Sequence, residues 1–299
     1  MANAAFDNVQ GRDEFDSRID RREKLGKIFE ILCLIGLAIS LVVLVLLLLD
    51  VLKNGLGRFN PDFLFQAPSR HADQGGIRPA LLGSLLLGIV IVMVSVPIGV
   101  GAALFLEEYA PRDKWWSRII EINVANLAGV PSIVYGLLGL GVFTYLLKLG
   151  PVLISGALTL SLLALPLIIV AARESIRAVP DSLRQASYAV GATKWQTVQH
   201  HVLPYAIPGI LTGVILSVSR AIGETAPLIV IGAAGFLTFN PGLSKRFMAL
   251  PIKIYDYITR PEAGFDQAAA AAIIVLLVLI LALNSAAIYI RHRFSALDK

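Results

Sequence analysis

Asp181-Ser182-Leu183-Arg184-Gln185-Ala186-Ser187-Tyr188-Ala189-Val190-Gly191-Ala192-Thr193-Lys194-Trp195-Gln196-Thr197-Val198-Gln199-His200-His201-Val202-Leu203-Pro204 is a polar, amphipathic run. A long apolar stretch follows it, with Arg220-Ala221-Ile222-Gly223-Glu224-Thr225-Ala226-Pro227 near its middle. A surface segment and a charge pair inside an apolar helix are therefore neighbours in the chain. The remaining sequence reads as the frame that holds them.

The chain has 299 residues, 56% of them hydrophobic and 16% charged, and a mean hydropathy of +0.73. Several apolar runs exceed the roughly 20 residues that cross a hydrocarbon core of ~30 Å. The class is an all-α, polytopic membrane protein. A net charge of +5 is not a nucleic-acid signal, because basic residues collect at the ends of spans on one face. The single cysteine, Cys33, excludes an intrachain disulfide. The first apolar run is longer than a signal-peptide core and lacks a clean cleavage site, so it reads as a retained helix.

Working outward, residues 1–27 form a polar arm carrying Arg12, Arg18, Arg21, Arg22, Lys24 and Lys27. A six-span body covers 28–290, with spans at Ile28–Leu49, Ala80–Leu106, Ile119–Leu147, Val152–Ala172, Tyr205–Ala233 and Ala268–Ile290. Residues 291–299 form a short tail. Six spans place both termini on one side. That side, with 107–118 and 173–204, holds 16 lysines and arginines against nine opposite, so both termini are expected in the cytoplasm. Gly209 and Gly213 suit close helix approach in span 5, and Ala268–Ala272 suit it in span 6.

Within 181–204 the pattern predicts two short helices joined at Gly191. Asp181 or Ser182 is the expected cap of the first, and Leu183, Ala186, Ala189 and Val190 its apolar side. Gly191 suits the left-handed position past a helix end, and Thr193 can cap the second helix. Trp195, Val198 and Val202 recur at helical spacing, and Pro204 is expected to end the segment. Such a helix pair can dock in the groove of a soluble partner or lie on lipid. Pattern alone leaves both open.

Arg220 falls deep in span 5, where an arginine costs roughly 2.5–3.5 kcal/mol on insertion scales. It must face protein or a water-filled cavity. Glu224 is its local partner, but arginine before glutamate is the weaker order for an i,i+4 pair. The guanidinium can grip an oxyanion through two parallel hydrogen bonds, and Glu224 can neutralise it when the site empties. A salt bridge that only fixes packing is the alternative. Pro227 removes a backbone bond and is expected to loosen the helix near Glu224. Gly129-Val130-Pro131-Ser132 interrupts span 3, read first as a proline kink. The other reading is a half-helix whose free N–H groups face an anion.

At this point a resemblance becomes specific. Residues 185–204 resemble the EAA loop of binding-protein-dependent ABC importers, which reads Glu-Ala-Ala, three residues, Gly, nine residues, Ile-x-Leu-Pro. Gln185-Ala186-Ser187, Gly191 and Leu203-Pro204 fall on that spacing, with Gln185 for Glu, Ser187 for Ala and His201 for Ile. The resemblance implies the type I ABC importer permease fold. It also implies contact with an ATPase subunit at Gln185, Ala186, Ser187, Gly191, Ala192, Trp195, Leu203 and Pro204. The chain carries no phosphate-binding G-x-x-x-x-G-K-[ST] loop, so hydrolysis is expected from a partner and no cofactor from this chain.

Four stretches also resemble the PstA-type permease subunit of bacterial phosphate importers. They are Gly75-Gly76-Ile77, 129–136, 220–227 and Ala249-Leu250-Pro251-Ile252-Lys253-Ile254-Tyr255. That resemblance implies inorganic phosphate as substrate, with Arg220, Glu224, Ser132 and Thr225 along its path. It implies as partners a second, PstC-type permease subunit, two copies of a PstB-type ATPase, and a PstS-type phosphate-binding protein, in membrane lipid and without nucleic acid. An importer of another oxyanion, such as sulfate or molybdate, or an ion-coupled secondary transporter using Arg220 and Glu224 are the alternatives. His200 and His201 are adjacent, point to different helix faces, and suit a solvated surface better than an intramembrane enzyme.

Overall fold

The computed structural model describes residues 2–71, 74–111 and 114–295, with side chains from Arg22 to His292 except Lys24 and Ile290. The basic side chains expected in the arm before Arg22, and those of the tail after His292, lie outside the described residues. The chain divides into two units, residues 1–53 and 54–299. The first is a single helix, the larger part of α1 (Ala2–Gly55), so the expected arm is helical and continuous with span 1. Its large apolar side chains from Leu25 to Leu47 are exposed, as suits a helix whose solvent is lipid.

In the second unit the elements are α2 (Pro61–Phe65), α3 (Arg78–Leu104), α4 (Trp115–Ala128), α5 (Ser132–Gly139), α6 (Leu153–Arg177), α7 (Asp181–Ala189), α8 (Lys194–Thr197), α9 (Leu203–Gly223), α10 (Ala226–Ile231), α11 (Leu250–Ile258) and α12 (Phe265–Ser295). Wide π turns extend α3 over Phe105–Tyr109 and α5 over Leu140–Leu146, and a third, Val198–Val202, joins α8 to α9. Among the described residues five helices are long and apolar enough to cross a membrane, and six if the bent pair α4–α5 counts as one span.

α6 is the centre of this unit, packing most extensively on α3 and α9. Leu153, Ala157, Leu160, Ala164 and Ile168 bury almost completely along it. The glycine pair in span 5 does what its spacing predicts: a Cβ on Gly213 would collide with the Cβ of Ala171, and one on Gly209 would press on Ser175. Backbones approach this closely only where one partner lacks a side chain. Ala268–Ala272 are likewise all buried.

Three expectations change. The interruption of span 3 is more than a proline kink, because α4 and α5 meet at 104°, and the Tyr135 hydroxyl donates to Leu127 O (2.8 Å) to latch the corner. Span 5 does not run unbroken to Ala233: α9 stops at Gly223, and Glu224 is extended (φ −74°, ψ 129°) before α10. Pro227 loosens the helix as its chemistry dictates. The loop before span 6 holds α11, whose Lys253 is fully buried. Its ammonium meets Asp256 at 2.7 Å and stands 4.0 Å from the Tyr257 ring centroid, so it is paired rather than stranded.

Candidate functional site

The segment 181–204 folds as a helical hairpin. Gly191, at φ +85°, turns the corner in a conformation that costs other residues about 1–2 kcal/mol. Thr193 then starts α8 with a complete capping box: its hydroxyl accepts from Gln196 N (3.3 Å), and the Gln196 side chain accepts from Thr193 N (2.8 Å). Two backbone donors are satisfied reciprocally. Both features follow the sequence reading.

The cap of α7 does not. Pro180, not Asp181 or Ser182, is the cap of α7, and Asp181 instead pairs with Arg184 (3.1 Å). Ala186, Ala189 and Val190 lie outward, Val190 at 84% exposure, with Gln185 beside them. Trp195 is 61% exposed while Val198 and Val202 are buried. Of the apolar side read for the first helix, Ala186, Ala189 and Val190 thus form an outer surface, and Leu183 packs half-buried against the membrane helices. Ser187 leaves the predicted contact set: it is buried, and its hydroxyl shares a hydrogen bond with Thr197 (2.9 Å) that braces the two helices. Pro204 does not end the segment either. The π turn lets Leu203 N donate to Val198 O, so α8 continues into α9 as one rod with Leu203 and Pro204 half-buried.

Sequence reasoning missed the inward anchor of this hairpin. Arg184 donates through Nε (3.1 Å) and Nη2 (2.9 Å) to Glu108 at the end of α3. It also donates to the carbonyl of Ile176 (3.0 Å) in the last turn of α6 and to that of Val179 (2.6 Å) just past its end. Adjacent Glu107 accepts from Arg173 Nε (2.9 Å) and Arg177 Nη2 (3.0 Å) on α6. Both arginines reach Glu121 on α4 as well, at 3.0 and 3.4 Å. The adjacent glutamates in a short turn were the available signal, along with arginines one helical turn apart at the end of span 4.

The second half of the site is the broken end of α9. Arg220 Nε stands 3.5 Å from Glu224 Oε1, with the two side chains 59% and 20% exposed within this chain. The pair is therefore not buried in the chain's own interior; it opens on its surface. Thr225 precedes α10 and Ser132 begins α5, both half-buried. α5 packs on α10 where Gly136 meets Pro227, one helical turn from Ser132. The break in span 3 and the break in span 5 are thereby brought together. Among the described residues no group of three or more His, Cys, Asp or Glu could hold a metal ion.

Comparison with known proteins gives consistent neighbours. The family of binding-protein-dependent transport system inner membrane components matches residues 95–296. The phosphate transport system permease protein PstA 1 of Mycobacterium tuberculosis is 40% identical over 192 residues, which are 64% of this chain and 62% of that one. The match thus spans less than two thirds of that relative's length. The PstA protein of Haemophilus influenzae is 30% identical over 278 residues, covering 91% of this chain and 96% of the relative. Among solved structures, a chain of a bacterial alginate ABC transporter in complex with an alginate-bound periplasmic protein superposes with a TM-score of 0.63 at 16% identity, covering 91% of this chain and 96% of that one. A chain of the inward-facing methionine transporter MetNI gives 0.57 at 20% identity, covering 73% and 94%. At those identities the two structures speak for the fold alone.

Proposed function

Because the chain belongs to the family of binding-protein-dependent transport system inner membrane components, we propose that it is the permease subunit of an ATP-driven importer of inorganic phosphate. It is a multi-pass inner-membrane protein with the permease fold of type I ABC importers. The relatives named for phosphate transport support the substrate. The observation that carries the mechanism is Arg220, a guanidinium open on the face of an apolar helix at its broken end. Left against lipid it would cost several kcal/mol, so in the assembled importer it faces a partner or a water-filled path.

A second permease subunit completes that path, and two ATPase subunits dock on the paired hairpins. The outer face of α7–α8, with Gln185, Ala186, Gly191, Ala192 and Trp195, is the docking surface on this chain. The termini lie in the cytoplasm with it, in accord with the excess of basic residues on that side. A phosphate-binding protein delivers substrate from the opposite side. Arg220 meets phosphate in transit through two parallel hydrogen bonds, with the Ser132 and Thr225 hydroxyls nearby, and Glu224 neutralises Arg220 once phosphate leaves. Tight affinity belongs to the binding protein, because a permease that holds its substrate tightly cannot release it.

The test is uptake of labelled phosphate by phosphate-starved cells with intact, deleted and Arg220→Gln chains, with sulfate as competitor. Loss of uptake in both altered strains, with the Arg220→Gln complex still assembled and sulfate ineffective, is expected. Wild-type uptake in the Arg220→Gln strain would remove Arg220 from the mechanism. Undiminished uptake in the deletion strain would remove phosphate as the substrate.

A further inference from the structure

We propose that Arg184 is a positioning residue of the transport cycle, carrying displacement of the docking hairpin through Glu108 and Glu107 to α6 and α4. This rests on α7–α8 being the surface that the ATPase moves. The inference starts from where the charges sit. Arg184 projects inward from α7 beside Ser187, while Gln185, Ala186 and Ala189 on the same helix point outward. One face receives the partner and the other holds the membrane helices. The Arg184 guanidinium uses all three nitrogens: Nε and Nη2 on Glu108, Nη1 on Val179 O and Asp181, and Nη2 also on Ile176 O.

The next link is covalent. Glu108 follows Glu107 in the π turn that ends α3, so a pull on one carboxylate displaces the other. Glu107, only 3% exposed, meets Arg173 at 2.7 Å and Arg177 at 3.0 Å. Both then reach Glu121 on α4. α4 leads through the 104° corner to α5, which packs on α10 beside the Arg220–Glu224 break. The charged groups thus run without a gap from the hairpin to the helix that precedes Ser132.

Chemistry favours a transmission role over a fastening one. Buried ion pairs are a poor way to hold two helices, because desolvation offsets much of their attraction, and apolar packing would serve as well. Their property is directional: a planar guanidinium held at three nitrogens fixes angle as well as distance. α7 cannot slide along α6 without moving Glu108.

The experiment uses the complete importer in liposomes, with substrate-loaded binding protein. It compares Arg184→Gln, Arg184→Lys, Glu108→Gln and the Arg184→Gln/Glu108→Gln pair. Assembly, ATP hydrolysis and phosphate moved per ATP are measured on each. The expected result is intact assembly and continued hydrolysis with phosphate per ATP lowered about 10-fold, within the span of ordinary coupling energies. The double variant is no worse than the worse single one, as two ends of one contact require. Arg184→Lys keeps the charge and the fold but loses the fork, so it also uncouples. Transport and hydrolysis falling together in proportion to assembled complex would overturn the proposal and leave a fastener. Effects of the single variants that multiply in the double would overturn it too. Failure of the phosphate reading would show separately, as import of another anion by the wild-type complex, and the transport ratio is then read with that anion.

Discussion

Gly191 allows backbone strain and partner docking to be separated at one position. Its φ of +85° lies in the left-handed region, and a Cβ built there meets nothing within 4 Å. Within the chain, any non-glycine residue therefore carries the conformational cost of about 1–2 kcal/mol and no clash. Asparagine carries less, since its side chain tolerates that region. Alanine and phenylalanine should misshape the hairpin equally, each lowering the docking-competent population by roughly 5- to 30-fold. Only a partner pressed against Gly191 can tell them apart. The assay is the dissociation constant of the ATPase subunit from the detergent-solubilised importer. Gly191→Asn should stay within about 3-fold of the native chain, Gly191→Ala should lose about 10-fold, and Gly191→Phe should lose at least a further order of magnitude by overpacking the interface. Equal losses for alanine and phenylalanine would refute contact at this corner. Native affinity in both would refute the strain argument as well.

Two further outcomes follow from packing and burial. Gly213→Ala places a methyl on the Ala171 methyl and should destabilise the α6–α9 contact by about 1–3 kcal/mol. Ala171→Gly in the same chain should recover most of the loss in melting temperature, and an unchanged Tm in Gly213→Ala alone would contradict the close approach. Burial, assisted by the Asp256 charge, pushes the Tyr257 phenol up to about 12. The unfolded chain therefore loses this proton first. The stabilisation is complete below about pH 10 and fades as pH rises through about 12, a difference of about 2–3 kcal/mol. Tyr257→Phe should lack that component of alkaline loss; parallel Tm-versus-pH curves for the two chains between pH 9 and 11.5 would count against it.

The spans, the corner at Gly191, the Thr193 cap and the loosening before Pro227 were legible because each is a local matter of period, φ or a missing N–H. What the apolar side of α7 meets was not. Small and apolar residues such as Ala186 and Val190 look alike whether they meet lipid or another protein, and a single sequence carries no sign of the partner. The Arg184–Glu108 contact joins residues 76 positions apart, and local pattern does not reach that distance. Charges at span ends also have a ready explanation as topology signals, which hid Glu107, Glu108, Arg173 and Arg177 in plain view. Lys253 escaped for a different reason: α11 has nine residues, too few for periodicity to lift it out of a loop.

The π turn at Val198–Val202 also sets an angle. Each residue of an α-helix advances about 100° around the axis, and a wide turn amounts to one residue more than the α ladder would hold. α8 and α9 form one rod, so this single ring of hydrogen bonds fixes the rotational phase between Trp195 on the hairpin and Arg220 at the far end. Deleting one residue between 198 and 202 would let this turn close as ordinary α-helix. That leaves Arg220 close to its present phase, whereas the same deletion in the plain α-helix of 203–219 would swing it by about a quarter turn relative to the hairpin. The wide turn is thus the place where this rod can lose a residue without re-aiming Arg220, and elsewhere along it length carries as much information as chemistry.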